Sequence, residues 1–177
     1  MTRAECGIKH EMLKVGDAAP PFVAVASDGT RFSLYEQGGL CTVIYFFPKA
    51  FTPGCTAETK EFRKHYVELE LAGATLVGVS TDDRDTQCRF ASSLSAPFPL
   101  LGDHDRAISR AYDVLWPIVG LAHRVTYVVG PSPNAAEPRW TVEAVFHHEL
   151  AIKAHRDEVL RFVNGKFQGS RPRPRSG

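Results

Sequence analysis

Residues 41–47, Cys41-Thr42-Val43-Ile44-Tyr45-Phe46-Phe47, form a nearly unbroken apolar run rich in β-branched and aromatic side chains. That pattern predicts a strand buried on both faces. A second such run covers 74–80. Between them Phe62, Tyr66 and Leu69 fall at i, i+4 and i+7, which predicts a helix over 53–72 ended by Gly73. Cys55 lies seven residues before Phe62, two turns back on the same face. Its sulfur is therefore expected to face the body of the fold and to be reached through a pocket.

The rest of the chain reads in the same way. A turn-rich stretch at 15–21 leads to a short strand at 22–26, a hairpin signal at Asp28-Gly29 and a further piece at 31–34. Thr81-Asp82-Asp83 should cap a helix over 84–94, with Gln87, Phe90, Ala91 and Leu94 inward. An extended piece at 97–101 precedes Asp103, expected to cap a short helix over 106–112. Strands at 123–129 and 139–146 should be joined by a long loop at 130–138, and a last helix should span 152–164. The first two core strands need a helical crossover and so should be parallel, whereas the last two are close enough for an antiparallel hairpin. The order predicts an α/β, thioredoxin-like fold with an added N-terminal hairpin and an inserted short helix. Residues 1–14 are expected to be a flexible arm, 15–167 the domain, and 168–177 a disordered basic tail.

Composition narrows the function. The 177 residues, 44% apolar, suffice for one core. No apolar run approaches the ~20 residues of a membrane span, and the polar first residues carry no apolar signal-peptide core. A cytoplasmic location and no membrane partner are expected. The net charge of +1 includes three arginines within 170–177. The body is thus slightly acidic, which argues against a nucleic-acid partner. Cys6, Cys41, Cys55 and Cys88 form no Cys-x-x-Cys pair and no structural zinc spacing, so one or two reactive thiols are the expectation.

One thiol stands out. After the strand ending at Phe47-Pro48, a Thr52-Pro53-Gly54 turn brings Cys55 to the predicted helix start. Unpaired backbone N–H groups and the positive end of the helix dipole favour the thiolate there, the nucleophilic form.

Pro48-x-x-x-Thr52-x-x-Cys55 resembles the active-site signature of the peroxiredoxins. The surrounding Phe47–Glu58 stretch is similar to their bacterioferritin-comigratory-protein branch. Val15-Gly16-Asp17-Ala18-Ala19-Pro20-Pro21-Phe22, Gly78-Val79-Ser80-Thr81-Asp82, Arg89-Phe90-Ala91, Phe98-Pro99-Leu100-Leu101-Gly102-Asp103 and Arg124-Val125-Thr126-Tyr127-Val128-Val129 resemble further blocks of the family, in order. The resemblance implies that Cys55 is the peroxidatic cysteine, oxidised by a hydroperoxide to a sulfenic acid. It also implies that Thr52 hydrogen-bonds the peroxide, Pro48 shields the thiolate, Arg124 fixes sulfur and oxidant, and Glu58 orients the arginine. Glu58 can equally be read as an ordinary first-turn helix acid, and Arg124 alone as a surface charge at a strand entrance.

The chain departs from the branch where many members carry a resolving cysteine five residues after the first. Lys60 stands there. Other members carry it on the next helix, at a position filled here by Ala91. Cys88, one turn earlier, is the favoured resolving residue, with an external thiol as the alternative. Cys41 is expected to be structural, and Cys6 is a minor candidate. His147-His148 and Asp103-His104-Asp105 are read as a solvated pair and a helix cap, so no metal is expected. The resemblance implies a thiol peroxidase without cofactor, acting on hydrogen peroxide or small organic hydroperoxides as monomer or homodimer, recycled by thioredoxin or another dithiol. The rivals are a peroxide sensor on the same fold and a disulfide oxidoreductase, which lacks its Cys-x-x-Cys.

Overall fold

The computed structural model describes residues 11–132 and 140–167. Its centre is a five-stranded sheet in the order β5-β4-β3-β6-β7, with β3 (Cys41–Phe46), β4 (Ala74–Ser80), β5 (Leu100–Gly102), β6 (Val125–Pro131) and β7 (Trp140–His147). β3 runs parallel to β4 and antiparallel to β6, and β6 and β7 are antiparallel. The expected topology is therefore observed. A separate hairpin pairs β1 (Val23–Val25) with β2 (Arg31–Ser33).

All six residues of β3 are buried, and their alternation divides the core in two. Cys41, Val43 and Tyr45 enter one cluster with Phe62, Leu69, Phe90, Val159 and Val163. These partners come from α1 (Pro53–Lys64), α2 (Tyr66–Leu71), α3 (Arg84–Leu94) and α5 (Ile152–Phe167). Ile44 and Phe46 enter the other with Phe32, Leu34, Ile108, Tyr112 and Val114, from the hairpin side and α4 (Ala107–Ala111). Met12 and Leu13, assigned to the N-terminal arm, pack against this second cluster. Residues 1–10, most of the 130–138 loop and the basic tail lie outside the described residues.

Two elements differ from expectation. The helix over 53–72 is broken at His65, whose N–H reaches back three residues to Phe62 O; a tighter turn separates α1 from α2. β6 starts two residues later than predicted, because Leu115 bridges Ala122 and His123 N–H donates to Val114 O. Residues 122 and 123 therefore pair with the loop after α4, and Arg124 stands at the entrance of β6, its carbonyl accepting from His148 N–H.

Candidate active site

α1 begins where the sequence places its punctuation. Thr52 is the extended N-cap, Pro53 supplies a preset φ at the first position, and Thr56 N–H makes the first helical bond, to Thr52 O. The amides of Gly54 and Cys55 thus precede the helical ladder and point their donors out of its N-terminus. Cys55 itself is buried.

The loop feeding this turn is held under tension and tied at two points. Phe51 adopts φ 64°, a left-handed conformation that costs a non-glycine residue about 1–2 kcal/mol. Its ring packs edge-on against Phe90 of α3, with centroids 5.1 Å apart. One residue earlier, Ala50 N–H donates to Asp82 Oδ2 at 2.7 Å. The same oxygen accepts from Ser80 Oγ, which in turn accepts from buried Gln87 Nε2. The Thr81-Asp82-Asp83 run predicts a shared cap for α3, but Asp83 alone serves that cap, by accepting from Thr86 N–H. The role of Asp82 as an anchor was missed; an aspartate in excess of what one cap needs was the available signal.

Arg124 directly precedes β6, whose first residue, Val125, pairs with Phe46 at the end of β3, and from that neighbouring strand it binds this turn. Its Nη2 donates to Cys55 Sγ at 3.5 Å, its Nη1 forms an ion pair with Glu58 Oε2, and its Nε donates to Glu149 O at 3.0 Å. The guanidinium is buried, not a surface charge. Gly54 makes the approach possible, since a Cβ there would lie 3.0 Å from Nη2. Glu58 is also buried and lies beyond the first turn, so the reading as an ordinary first-turn helix acid is corrected.

Electrostatics follow from burial. Removal from water pushes the Glu58 carboxyl up to about 7, although Arg124 pulls the other way. Burial also works against the charge of Arg124, but the negative charges of Glu58 and Cys55 more than offset it and leave its pKa raised. The second Glu58 oxygen, Oε1, has no hydrogen-bond partner and sits 4.0 Å from His155 Nε2. His155 is fully buried, pairs with Thr126 Oγ1 at 2.6 Å, and is held down to about 4, first by burial and then by His148 and Arg124. Sequence reasoning overlooked His155 because a lone histidine within an amphipathic helix carries no pattern.

The structure brings Thr52 and Pro48 to the same loop. Thr52 Oγ1 donates to Lys49 O at 2.9 Å, which leaves its lone pairs able to accept. Pro48 shares a pocket of about 270 Å³ with Trp116, Val119 and Leu121. Cys88 is not brought in. It is exposed on α3 and lines a different hollow, with Ser27, Asp28, Phe98 and Pro99. Cys41 is buried, and burial, reinforced by Glu143, pushes its thiol up to about 12. Of the other candidates, Asp103 accepts from the amides of Ile108 and Ser109 at the start of α4, as a cap does. His147 and His148 diverge, to Glu149 and Glu158 respectively. Cys6 lies outside the described residues.

Residues 15–134 match the model of the AhpC/TSA family. The chloroplastic peroxiredoxin Q of Gentiana triflora is 34% identical over 84% of this chain, which spans 65% of that relative's length. Among solved structures, peroxidoxin BcpB from Mycobacterium tuberculosis superposes with a TM-score of 0.77 at 30% identity, covering 87% of this chain and 98% of its own. The bacterioferritin comigratory protein of Xanthomonas campestris, from structures concerned with its alkyl peroxide reduction activity, gives 0.71 at 30% identity, covering 86% and 96%. A buried cysteine at a helix N-terminus, bound by an arginine from the start of the neighbouring strand, occurs here on a scaffold shared with these proteins: the chain belongs to the AhpC/TSA family and is a peroxiredoxin.

Proposed function

We propose that this protein is a thiol-dependent peroxidase that reduces hydrogen peroxide and small organic hydroperoxides through Cys55. The observation that carries the reading is the Arg124 guanidinium, which reaches both Cys55 Sγ and Glu58 at the open end of α1. It balances negative charge on sulfur before reaction and faces the oxygen that becomes negative during it. The family supports this chemistry, and the alkyl peroxide activity named for the Xanthomonas relative supports organic substrates.

In the proposed step the Cys55 thiolate attacks the terminal peroxide oxygen. The S–O bond forms as the O–O bond breaks, sulfur loses two electrons, and the alkoxide leaves and takes a proton (RS⁻ + R′OOH + H⁺ → RSOH + R′OH). Thr52 Oγ1, already donating to Lys49 O, accepts the hydrogen of the attacked hydroperoxide group. Arg124 and the amides of Gly54 and Cys55 stabilise the departing oxygen. Thiolate formation alone supplies far less than a typical enzymatic acceleration of ~10⁶ or more, so these donors carry most of the barrier reduction. Pro48 screens the sulfur, and the apolar wall of Trp116, Val119 and Leu121 next to it suits an alkyl group.

Recycling completes the proposal. The sulfenic acid condenses with a thiol, releasing water, and the disulfide is reduced by thioredoxin or another dithiol, as the reducing environment of the cytoplasm allows. Cys88 is the proposed resolving thiol. Cys55 is buried and Cys88 exposed, so local unfolding precedes a bond between the two sulfurs, whose Cα atoms must come within about 7 Å. That exposure favours a second reading, in which an external thiol resolves Cys55 directly. Peroxide consumption with a thioredoxin system tests the whole. Sustained turnover lost in Cys55→Ser is expected, whereas a single stoichiometric event indicates a sensor. Non-reducing mass spectrometry after one equivalent of peroxide should find a Cys55–Cys88 peptide, and Cys55 sulfenic acid with Cys88 free would support the external thiol.

A further inference from the structure

His147, read in the sequence beside His148 alone, meets a different histidine in the fold. Val125 pairs with His147 across β6 and β7, and His123 stands just ahead of β6. His123 Nδ1 and His147 Nε2 each lie 2.9 Å from Glu149 Oε1, and the three atoms fall within 4.8 Å of one another. We propose that His123, His147 and Glu149 form a binding site for one divalent zinc-like metal ion at the rim of the active site.

The donor set suits such an ion. Two imidazole nitrogens and a carboxylate oxygen are the ligands that a borderline-soft divalent cation selects over magnesium or calcium. Tetrahedral zinc, with bonds of about 2.0–2.1 Å to nitrogen and oxygen, needs its donors about 3.3 Å apart. The two histidine–carboxylate separations must open by a few tenths of an ångström to admit it, and the histidine nitrogens must close. Side-chain rotation accomplishes both.

The histidines are also held in advance. The Trp116 indole stacks on the His123 ring with centroids 4.0 Å apart and planes at 28°, and His123 N–H is tied to Val114 O. His147 meets His123 edge to face. Side-chain exposures of 20% for His123 and 37% for both His147 and Glu149 leave the group accessible to an ion while limiting the water to be displaced. Three protein ligands leave a fourth position for water.

The site adjoins the peroxidase without depending on it. Glu149 gives its carboxylate to the cluster and its main-chain carbonyl to Arg124 Nε. An ion there would fasten the residue that supports the active-site arginine. Metal binding stands or falls whether or not Cys55 reduces peroxides.

The test is a calorimetric titration of the chelator-stripped, reduced full chain with zinc chloride, joined to zinc-edge X-ray absorption. One ion per chain with micromolar or tighter affinity is expected, with a first shell of nitrogen and oxygen at about 2.0–2.1 Å and no sulfur at about 2.3 Å. His123→Ala and His147→Ala should each weaken binding at least about tenfold. Glu149→Gln should do the same while keeping the carbonyl that Arg124 uses, so a loss of binding there is not a loss of fold. Cys55→Ser and Cys88→Ser should bind as the unmodified chain does. Sulfur in the shell, loss of binding with the cysteine variants, undiminished binding in the histidine variants, or no binding below millimolar zinc would each overturn the proposal; the last would leave the three side chains as a hydrogen-bonded cluster only.

Discussion

Cys41 and Cys55 are almost equally hidden from solvent, yet the fold gives them opposite surroundings. Cys41 opens β3 in an apolar layer, where burial and the nearby Glu143 carboxylate penalise its anion and hold the thiol up at about 12. Cys55 borders that same layer but looks out of a helix N-terminus at a guanidinium 3.5 Å away. On the proposed function, burial therefore does not decide whether a thiol is reactive. What decides is whether the dry site also carries oriented donors, because in low dielectric a partner is worth more and its absence costs more.

The largest effect that can break this contrast comes from the sulfurs themselves. Cys55→Ser should lose the full catalytic acceleration, ~10⁶ or more, whereas Cys41→Ala should keep peroxide turnover within about threefold. Equal losses in a peroxidase assay would erase the distinction. Arg124→Gln removes the donor that separates the two thiols and should lower kcat/KM by about 10²–10³. Thr52→Val should cost about 10² in turnover while the rate of Cys55 alkylation by iodoacetamide stays nearly intact. A matching fall in both rates would mean that Thr52 acts on the sulfur and not on the oxidant.

Smaller changes sharpen the picture. Gly54→Ala brings a methyl group to 3.0 Å from Arg124 Nη2 and must displace the guanidinium by a few tenths of an ångström. About a tenfold loss is expected in both turnover and alkylation, since the shift acts on the sulfur's own partner. The last effect concerns stability and leaves turnover aside. His155, held down to about 4, stays neutral in the fold where the unfolded chain takes up a proton. Its contribution is complete above pH 6.5 and is lost as pH falls toward 4. Glu58, pushed up to about 7, runs in the opposite sense: its contribution is present below about 4.5 and lost as pH rises to 7. In urea unfolding between pH 7 and 4.5, His155→Gln should lose less stability on the acid side than the unmodified chain, by on the order of 2 kcal/mol. Identical pH profiles would show that His155 does not sense its burial in this way.

Much of this was legible in the chain. The strands at 41–47 and 74–80, the helix start at Pro53, the helix over 84–94 and the sheet topology all follow from local periodicity and punctuation, and the elements formed as read. Cys55, Thr52 and Pro48 lie within eight residues, so one turn holds them together. Arg124 and Glu58 were named only through resemblance to the family, and their meeting rests on a separation of 66 residues. The break at His65 and the late start of β6 were not readable, because each depends on hydrogen bonds made elsewhere in the fold.

Local sequence determined which residues turn, which cap and which face inward, because these depend on φ, ψ and side-chain volume within a few residues. Only the tertiary structure decided which charges meet. It set Asp82 under Ala50, placed His155 near Glu58, moved Cys88 to an outer face, and joined His123 to His147 instead of leaving the latter with its neighbour His148. Electrostatic partnership is a property of distance through space and of the water excluded between groups, and neither quantity is written in the order of residues along a chain.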